Sequence, residues 1–177
     1  MAMSVRWRSC EHLRTTSQWS TGLADAWHYA YTDFGEGHGR SPRPVLRAVI
    51  AVAPPGSLTR FSAIIDTGGP ITVVAPEVLR GGGDPVERDE TMVLRLAGST
   101  SRVALYDMTL EARPPLELRD ARPMTWRGIV AVLDPWPHQG TAVILGQSGF
   151  LDAFTVTFGP DGFVLEPASV FRERFPL

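Results

Sequence analysis

The stretch Ile64-Ile65-Asp66-Thr67-Gly68 places a carboxylate directly after a strongly apolar strand, at a turn that glycine makes tight. A carboxylate at such a strand end is partly shielded from water, so its proton affinity can be tuned. Thr67 can hydrogen-bond neighbouring backbone, and Gly68 lets another chain or a substrate approach closely. The same three letters also fit an ordinary Asx turn, in which Asp66 bonds only its own backbone. This stretch by itself does not distinguish a functional carboxylate from an ordinary Asx turn.

Short apolar runs separated by turn signals surround the stretch on both sides. A helix is predicted to start at Pro76, because proline is favoured at a first helical position. Strands are predicted over residues 27–31, 45–52, 61–65, 71–74, 92–96, 103–110, 116–118, 128–133, 154–158 and 163–165. The last two flank the hairpin turn Gly159-Pro160-Asp161-Gly162. Short strands at this spacing predict a mostly-β sandwich or barrel with one or two short helices.

Residues 1–25 differ from the rest of the chain. They are polar and rich in Ser and Thr, with Trp7 and Trp19 as isolated large hydrophobic residues. We expect an N-terminal arm that either lacks order or docks through its tryptophans. The remaining residues, 26–177, are enough for one domain with a sizeable core.

Composition excludes several functional classes. The net charge of −2 argues against nucleic acid as a partner, since phosphate binding needs a basic surface. Cys10 is the single cysteine, so no intrachain disulfide is possible and a disulfide-dense secreted scaffold is excluded. The longest apolar stretch, 48–53, is too short to span a bilayer, and no signal peptide is recognisable. We therefore expect a cytoplasmic protein without a membrane partner.

A second motif lies in the carboxyl-terminal part of the chain. Val143-Ile144-Leu145-Gly146 is followed by a strand, an Asp-Gly turn and a closing strand, which resembles the carboxyl-terminal signature of aspartic proteases. The stretch 61–76 is similar to the active-site arm of the same family: a strand, Asp-Thr-Gly, then a hydroxyl residue, here Thr72, among aliphatics. Met92–Leu110, with Gly98 at its apex, takes the place of the flap hairpin. The resemblance covers residues 43–168.

One Asp-Thr-Gly on 177 residues resembles the retropepsin-like branch, in which two chains each donate one aspartate at a two-fold axis. All 17 basic residues are arginine, and the sequence contains no asparagine. Both features are typical of a G+C-rich genome and favour a bacterial member. The resemblance implies a closed β-barrel lobe with a flap hairpin, a homodimer, a peptide or protein substrate, and no metal or organic cofactor. It implies a short helix after Gly146, in which Gly149 would cost about 1 kcal/mol relative to alanine.

The resemblance also implies roles for individual residues. Asp66 of the two chains would act as base and acid, Thr67 would brace the pair, and Gly68 would allow close approach. Substrate contacts are expected at the flap residues Gly98 and Ser99 and at the apolar residues Ile65 and Ile71. The chain departs from the family pattern where Gly69-Pro70 replaces the usual Ala or Ser.

Two alternatives from other classes remain open at this point. The first is a catalytically silent member of the same fold, which would serve as a dimerisation or peptide-binding module. The second is a monomeric β-barrel binding domain in which Asp66 is purely structural. The sequence pattern Cys10-Glu11-His12 lacks a second pair of ligands, so a zinc site is not predicted.

Overall fold

The computed structural model describes residues 26–36, 44–96, 99–115, 118 and 121–176. The expected arm over residues 1–25 lies outside these ranges. The described strands are β1 (Trp27–Ala30), β2 (Thr32–Glu36), β3 (Pro44–Arg47), β4 (Val49–Ala53), β5 (Phe61–Ile65), β6 (Thr72–Val74), β7 (Val86–Leu96), β8 (Ser99–Ala112), β9 (Met124–Val132), β10 (Val143–Leu145), β11 (Phe154–Phe158) and β12 (Gly162–Pro167). The described helices are α1 (Pro76–Arg80) and α2 (Ala168–Arg174).

Six strands close into a barrel. Neighbouring strands follow the order β4, β5, β10, β6, β9 and β8, and β8 returns to β4 through the pairs Val52↔Ala112 and Ala53↔Glu111. Closure leaves the barrel without unpaired edges. The expectation of a mostly-β protein with a closed barrel and one or two short helices is therefore confirmed, with two helices present in the described residues.

Strand β10 is inserted between β5 and β6, which follow each other in the chain. It runs parallel to β5 and antiparallel to β6. As a result, the turn that follows β5 and the turn that follows β10 lie at the same end of the barrel. These are the Asp66 turn (residues 66–69) and the second turn (residues 146–149).

Apolar side chains fill both faces of the central strands. Val143 and Leu145 of β10 belong to the barrel core, while Ile144 points to the opposite face. Burial on both faces explains why this strand is a continuous apolar run rather than an alternating one. The opposite face carries a second group of buried residues, the outer cluster: Ile71, Val73, Leu94, Val103, Leu105, Ala131, Leu133 and Ile144.

The hairpin expected over Met92–Leu110 is present and is longer than expected. Strand β8 pairs with β9 only as far as Ala104↔Val132, so residues 92–96 and 99–103 beyond that pair form a two-stranded arm, whose described strands pair only with each other. The arm does not stand free, because Leu94 and Val103 are buried in the outer cluster together with Ile71. The arm therefore lies over the face of the barrel that leads into the Asp66 turn.

A second sheet joins the two ends of the described chain. Its strand order is β1, β12, β11, and the Gly159 N–H donates to the Gly162 carbonyl (2.8 Å), closing the expected hairpin turn. Helix α2 follows β12, and Arg174 of this helix pairs with the buried carboxylate of Glu166. Neither described helix has the length and apolar character that crossing a membrane requires.

Three local expectations are corrected by the structure. The strand expected over 45–52 breaks at Ala48, where the chain leaves its partner β2 and joins β5. The strand expected over 116–118 falls mostly outside the described residues, and Leu118 lies in a turn, its N–H donating to the Pro115 carbonyl (2.9 Å).

The third correction concerns the helix expected after Gly146. Residues 146–153 form successive turns instead, with the Leu151 N–H bonded to the Gly146 carbonyl at 3.1 Å. Gly149 has a φ of +87°, in the left-handed region, which interrupts a right-handed helix. The second helix is α2, at the carboxyl-terminal end, which the sequence pattern did not indicate.

Candidate active site

Asp66 follows β5 on a turn that is exposed in the single chain. Its backbone N–H donates to the Leu145 carbonyl (2.9 Å), which extends the β5–β10 pairing by one residue. Its carbonyl accepts the Gly69 N–H (3.1 Å), and its side-chain Oδ1 accepts the Gly68 N–H (3.0 Å). Asp66, Thr67 and Gly68 are all exposed. The turn is thus ordered by its backbone and presents its side chains outward.

The second turn holds the Asp66 turn in place. The Gln147 N–H donates to the Gly69 carbonyl (2.8 Å), and the Ser148 N–H donates to the Pro70 carbonyl (3.1 Å). The side chain of Gln147 adds a third link, because its Nε2 donates to the Thr67 carbonyl at 3.2 Å. The two motifs recognised separately in the sequence therefore form one hydrogen-bonded unit.

Thr72, the first residue of β6, forms two hydrogen bonds with the second turn. Its side chain is completely buried, and its Oγ1 accepts the Gly146 N–H at 3.2 Å. Its own N–H donates to the Ser148 carbonyl (2.8 Å). Buried polar groups need hydrogen-bond partners. The Thr72 hydroxyl supplies one to the Gly146 N–H, which lies just beyond the last backbone pair between β10 and β6. The hydroxyl residue expected among aliphatics has a structural task here.

The indole of Trp126 lies behind the second turn. Its Nε1–H donates to the Gly149 carbonyl at 2.6 Å. The ring packs edge-on against Phe150 and Phe154, with centroid separations of 5.4 and 5.2 Å. The second turn is therefore supported by buried aromatic packing.

The glycines of the two turns have different surroundings. A Cβ on Gly146 would lie 2.3 Å from the Ile71 carbonyl oxygen, and one on Gly149 would lie 2.2 Å from the Ile129 carbonyl oxygen. A Cβ on Gly68 would meet only Asp66 Oδ1, at 3.4 Å. Backbone therefore packs directly against the glycines of the second turn, whereas Gly68 has room in the single chain.

The residues expected to contact substrate are placed differently from one another. Ile65 is 8% exposed and belongs to the barrel core, and Ile71 is 6% exposed and lies in the outer cluster beneath the arm. Ser99 begins β8 at the apex of the arm, and Gly98 lies outside the described residues. Both isoleucines flank the Asp66 turn, but their side chains point into the protein.

The described charges leave Asp66 without a basic partner. The ion pairs found in the described ranges involve Arg88, Arg113 and Arg174, and none of them reaches Asp66. The described residues also contain no group of three metal-ligating side chains. An ionised carboxylate has about four acceptor sites, so one bond from Gly68 leaves it able to bond water or a second acid.

The sequence interpretation missed Gln147 as part of this site. The only signal was a long polar side chain immediately after the glycine of the second motif. Its contact with Thr67 depends on β10 lying between β5 and β6, and a pairing so distant in sequence leaves no periodic pattern.

Comparison with models of known protein families and with curated proteins gave no match.

Proposed function

We propose that this protein is a retropepsin-like aspartic endopeptidase, in which Asp66 of two identical chains forms the catalytic pair. The observation that carries the proposal is the joining of the two motifs. Two hydrogen bonds tie the Asp-Thr-Gly turn to the turn after Val143–Leu145 and a third joins that turn to the adjacent Pro70, while Asp66 remains exposed. Such a rigid turn presents an acid outward in a fixed orientation.

The chemistry requires two carboxyl groups. One carboxylate removes a proton from water, whose oxygen attacks the carbonyl carbon of the peptide, while the other, protonated, donates to the carbonyl oxygen. The tetrahedral diol then returns one hydroxyl proton to the deprotonated carboxylate and collapses to a carboxylic acid, while the C–N bond breaks and the amine leaves with the proton held by the other carboxyl group. Two carboxyls about 3 Å apart cannot both ionise, which keeps one in each state. No covalent intermediate or cofactor is involved.

One chain supplies only one such acid, so the mechanism needs a homodimer. An isologous two-fold contact brings the same residue of each chain together, and it is the commonest kind of interface. The exposure of Asp66, Thr67 and Gly68 is consistent with a contact surface there. In the dimer, Thr67 braces the pair and Gly68 permits its close approach.

The substrate is an extended peptide segment lying between the arm and the Asp66 turn. Extended segments bind by pairing with strand backbone and placing alternate side chains in pockets. Ser99 at the start of β8 supplies that pairing, and the resemblance implies the same role for Gly98. Ile71 favours a hydrophobic residue beside the cleaved bond once the arm lifts from the outer cluster, whereas Ile65 stays in the barrel core beneath the Asp66 turn. The single cysteine favours a cytoplasmic enzyme. The use of arginine at all 17 Lys/Arg positions favours a bacterial one.

Cleavage of a complex peptide mixture, followed by mass spectrometry from mildly acidic to neutral pH, tests the activity. We expect cuts between hydrophobic residues that disappear in Asp66→Asn, because the amide can neither accept the proton from water nor share one. The control is Asp161→Asn, which alters an exposed aspartate in the β11–β12 turn and leaves cleavage unchanged. Cuts that survive Asp66→Asn would disprove the assignment of the active site.

Mixing the parent chain with Asp66→Asn tests the shared pair. Random pairing of equal amounts leaves about one quarter of the dimers with two aspartates, so activity per parent chain falls by about half. An enzyme that works as a monomer keeps its full activity per parent chain. Sedimentation of the same samples establishes whether the dimer is present.

A peptide-binding module is the second candidate. It is favoured by the Gly68 N–H bond to Asp66 Oδ1, which is the bond of an ordinary Asx turn. A dimeric protein that cleaves nothing at any pH, yet binds extended peptides equally well with Asp66 or with asparagine at that position, would establish this second function.

A further inference from the structure

The peptide unit between Thr67 and Gly68 is held on both of its polar sides. Its N–H donates to Oδ1 of Asp66 (3.0 Å), and its carbonyl accepts the Nε2–H of Gln147 (3.2 Å). In a trans peptide the N–H and the C=O are coplanar and point in opposite directions. Fixing the carbonyl oxygen therefore fixes the direction in which the N–H meets the carboxylate.

The backbone bonds described for this turn flank that peptide unit without holding it. The Asp66 N–H bonds Leu145, the Gly69 N–H bonds the Asp66 carbonyl, and the Gly69 carbonyl accepts the Gln147 N–H. Among the described contacts, the carbonyl of Thr67 is bonded only by the Gln147 side chain. Since Gly68 is a glycine in an exposed turn, little else limits rotation of this unit.

The two hydrogen bonds also reinforce each other electronically. A donor bound to an amide oxygen polarises the amide and makes its N–H a stronger donor. The stronger Gly68 donor then orients the carboxylate more tightly. This effect is larger where water is excluded, as it would be beneath a bound peptide.

We propose that Gln147 is a positioning residue that orients the Asp66 carboxylate by donating a hydrogen bond to the Thr67–Gly68 peptide unit. Its role in catalysis rests on the proposed function above, whereas its effect on the Gly68 N–H does not. Gln147 need not touch substrate, since it acts through the peptide unit. The requirement is for a side chain of this length that carries a hydrogen-bond donor.

Two substitutions separate the donor from the length of the side chain. Gln147→Met keeps the length and removes the donor, and Gln147→Lys restores a donor. Gln139→Met is the matched control, because Gln139 is an exposed glutamine in the loop before β10. Both positions are exposed and each replacement is of similar size, so we expect all three variants to fold.

The first readout is the amide proton of Gly68 in the full-length protein, followed by NMR. We expect Gln147→Met to shift this proton upfield and to increase its exchange rate by about tenfold, while Gln147→Lys and Gln139→Met leave it near the parent values. An unchanged Gly68 amide in Gln147→Met overturns the inference. A failure of Gln147→Lys to restore the amide does the same, because the donor would then be irrelevant.

The second readout is catalysis. We expect kcat to fall about tenfold in Gln147→Met with little change in KM, and to recover in Gln147→Lys. A change in KM with kcat intact would mean that Gln147 binds substrate, which contradicts a positioning role. If the parent protein cleaves no peptide, the proposed function fails, while the Gly68 amide still decides whether Gln147 grips this peptide unit.

Discussion

The Asp66 turn and the second turn lie side by side at one end of the barrel, and both begin directly after an apolar strand. They differ in what surrounds their glycines. Gly146 and Gly149 are pressed against backbone, whereas Gly68 is exposed and has room for a methyl group. The second turn needs glycine in order to fold. Gly68 in the Asp66 turn has no such backbone contact, so a requirement for glycine at this position would have to come from outside the single chain.

Gly149→Ala should produce the largest effect. Its φ of +87° is unfavourable for alanine, and the new Cβ would lie 2.2 Å from the Ile129 carbonyl oxygen. We expect the free energy of unfolding to fall by about 4 kcal/mol, or folding to be lost. Gly140→Ala is the control, since Gly140 has a φ of +77° with open space around it. That variant should lose only about 1 kcal/mol in the same urea titration, and equal losses would show that close packing is not the cause.

Gly146→Ala should follow closely. The φ of Gly146 is not in the left-handed region, so the loss of stability comes from a steric clash. The new Cβ would lie 2.3 Å from the Ile71 carbonyl oxygen. Relief would require β6 and β10 to separate, which would also strain the Thr72 bond to the Gly146 N–H. We expect a loss of about 3 kcal/mol by denaturant unfolding. Gly159→Ala, where the nearest atom would be 3.4 Å away, should change stability by less than about 0.5 kcal/mol.

Trp126→Phe tests the support behind the second turn with a smaller change. It keeps an aromatic ring but removes the bond to the Gly149 carbonyl, at a cost of about 1–2 kcal/mol. Trp136→Phe removes a similar bond, to the Thr141 carbonyl at 2.6 Å, and should cost a similar amount. Only Trp126→Phe should speed hydrogen exchange of the Leu151 amide, which bonds Gly146. Equal exchange in both variants would mean that Trp126 does not support this turn in particular.

The same contrast explains how far the sequence could be interpreted. The strands β5 and β11, the start of α1 and the turn at Asp66 were predictable, because apolar runs, proline and glycine act through local conformational preferences. The insertion of β10 between β5 and β6 was not, since it depends on packing between segments far apart in the chain. Gln147 was missed for that reason, and the left-handed Gly149 replaced an expected helix with turns.

Gly68→Ala sharpens the comparison most directly, although its effect on stability should be the smallest. The new methyl group would touch only Asp66 Oδ1, at 3.4 Å, so we expect the free energy of unfolding from a urea titration to change by less than about 0.5 kcal/mol, as for Gly159→Ala. If two Asp66 turns meet at a two-fold axis, however, the methyl group would stand between them. Dimer formation by sedimentation and peptide cleavage should then both fall at least tenfold. A stable, dimeric and active Gly68→Ala protein would show that glycine at this position is needed neither for folding nor for dimer formation. The close approach proposed for the two Asp66 turns would then be wrong.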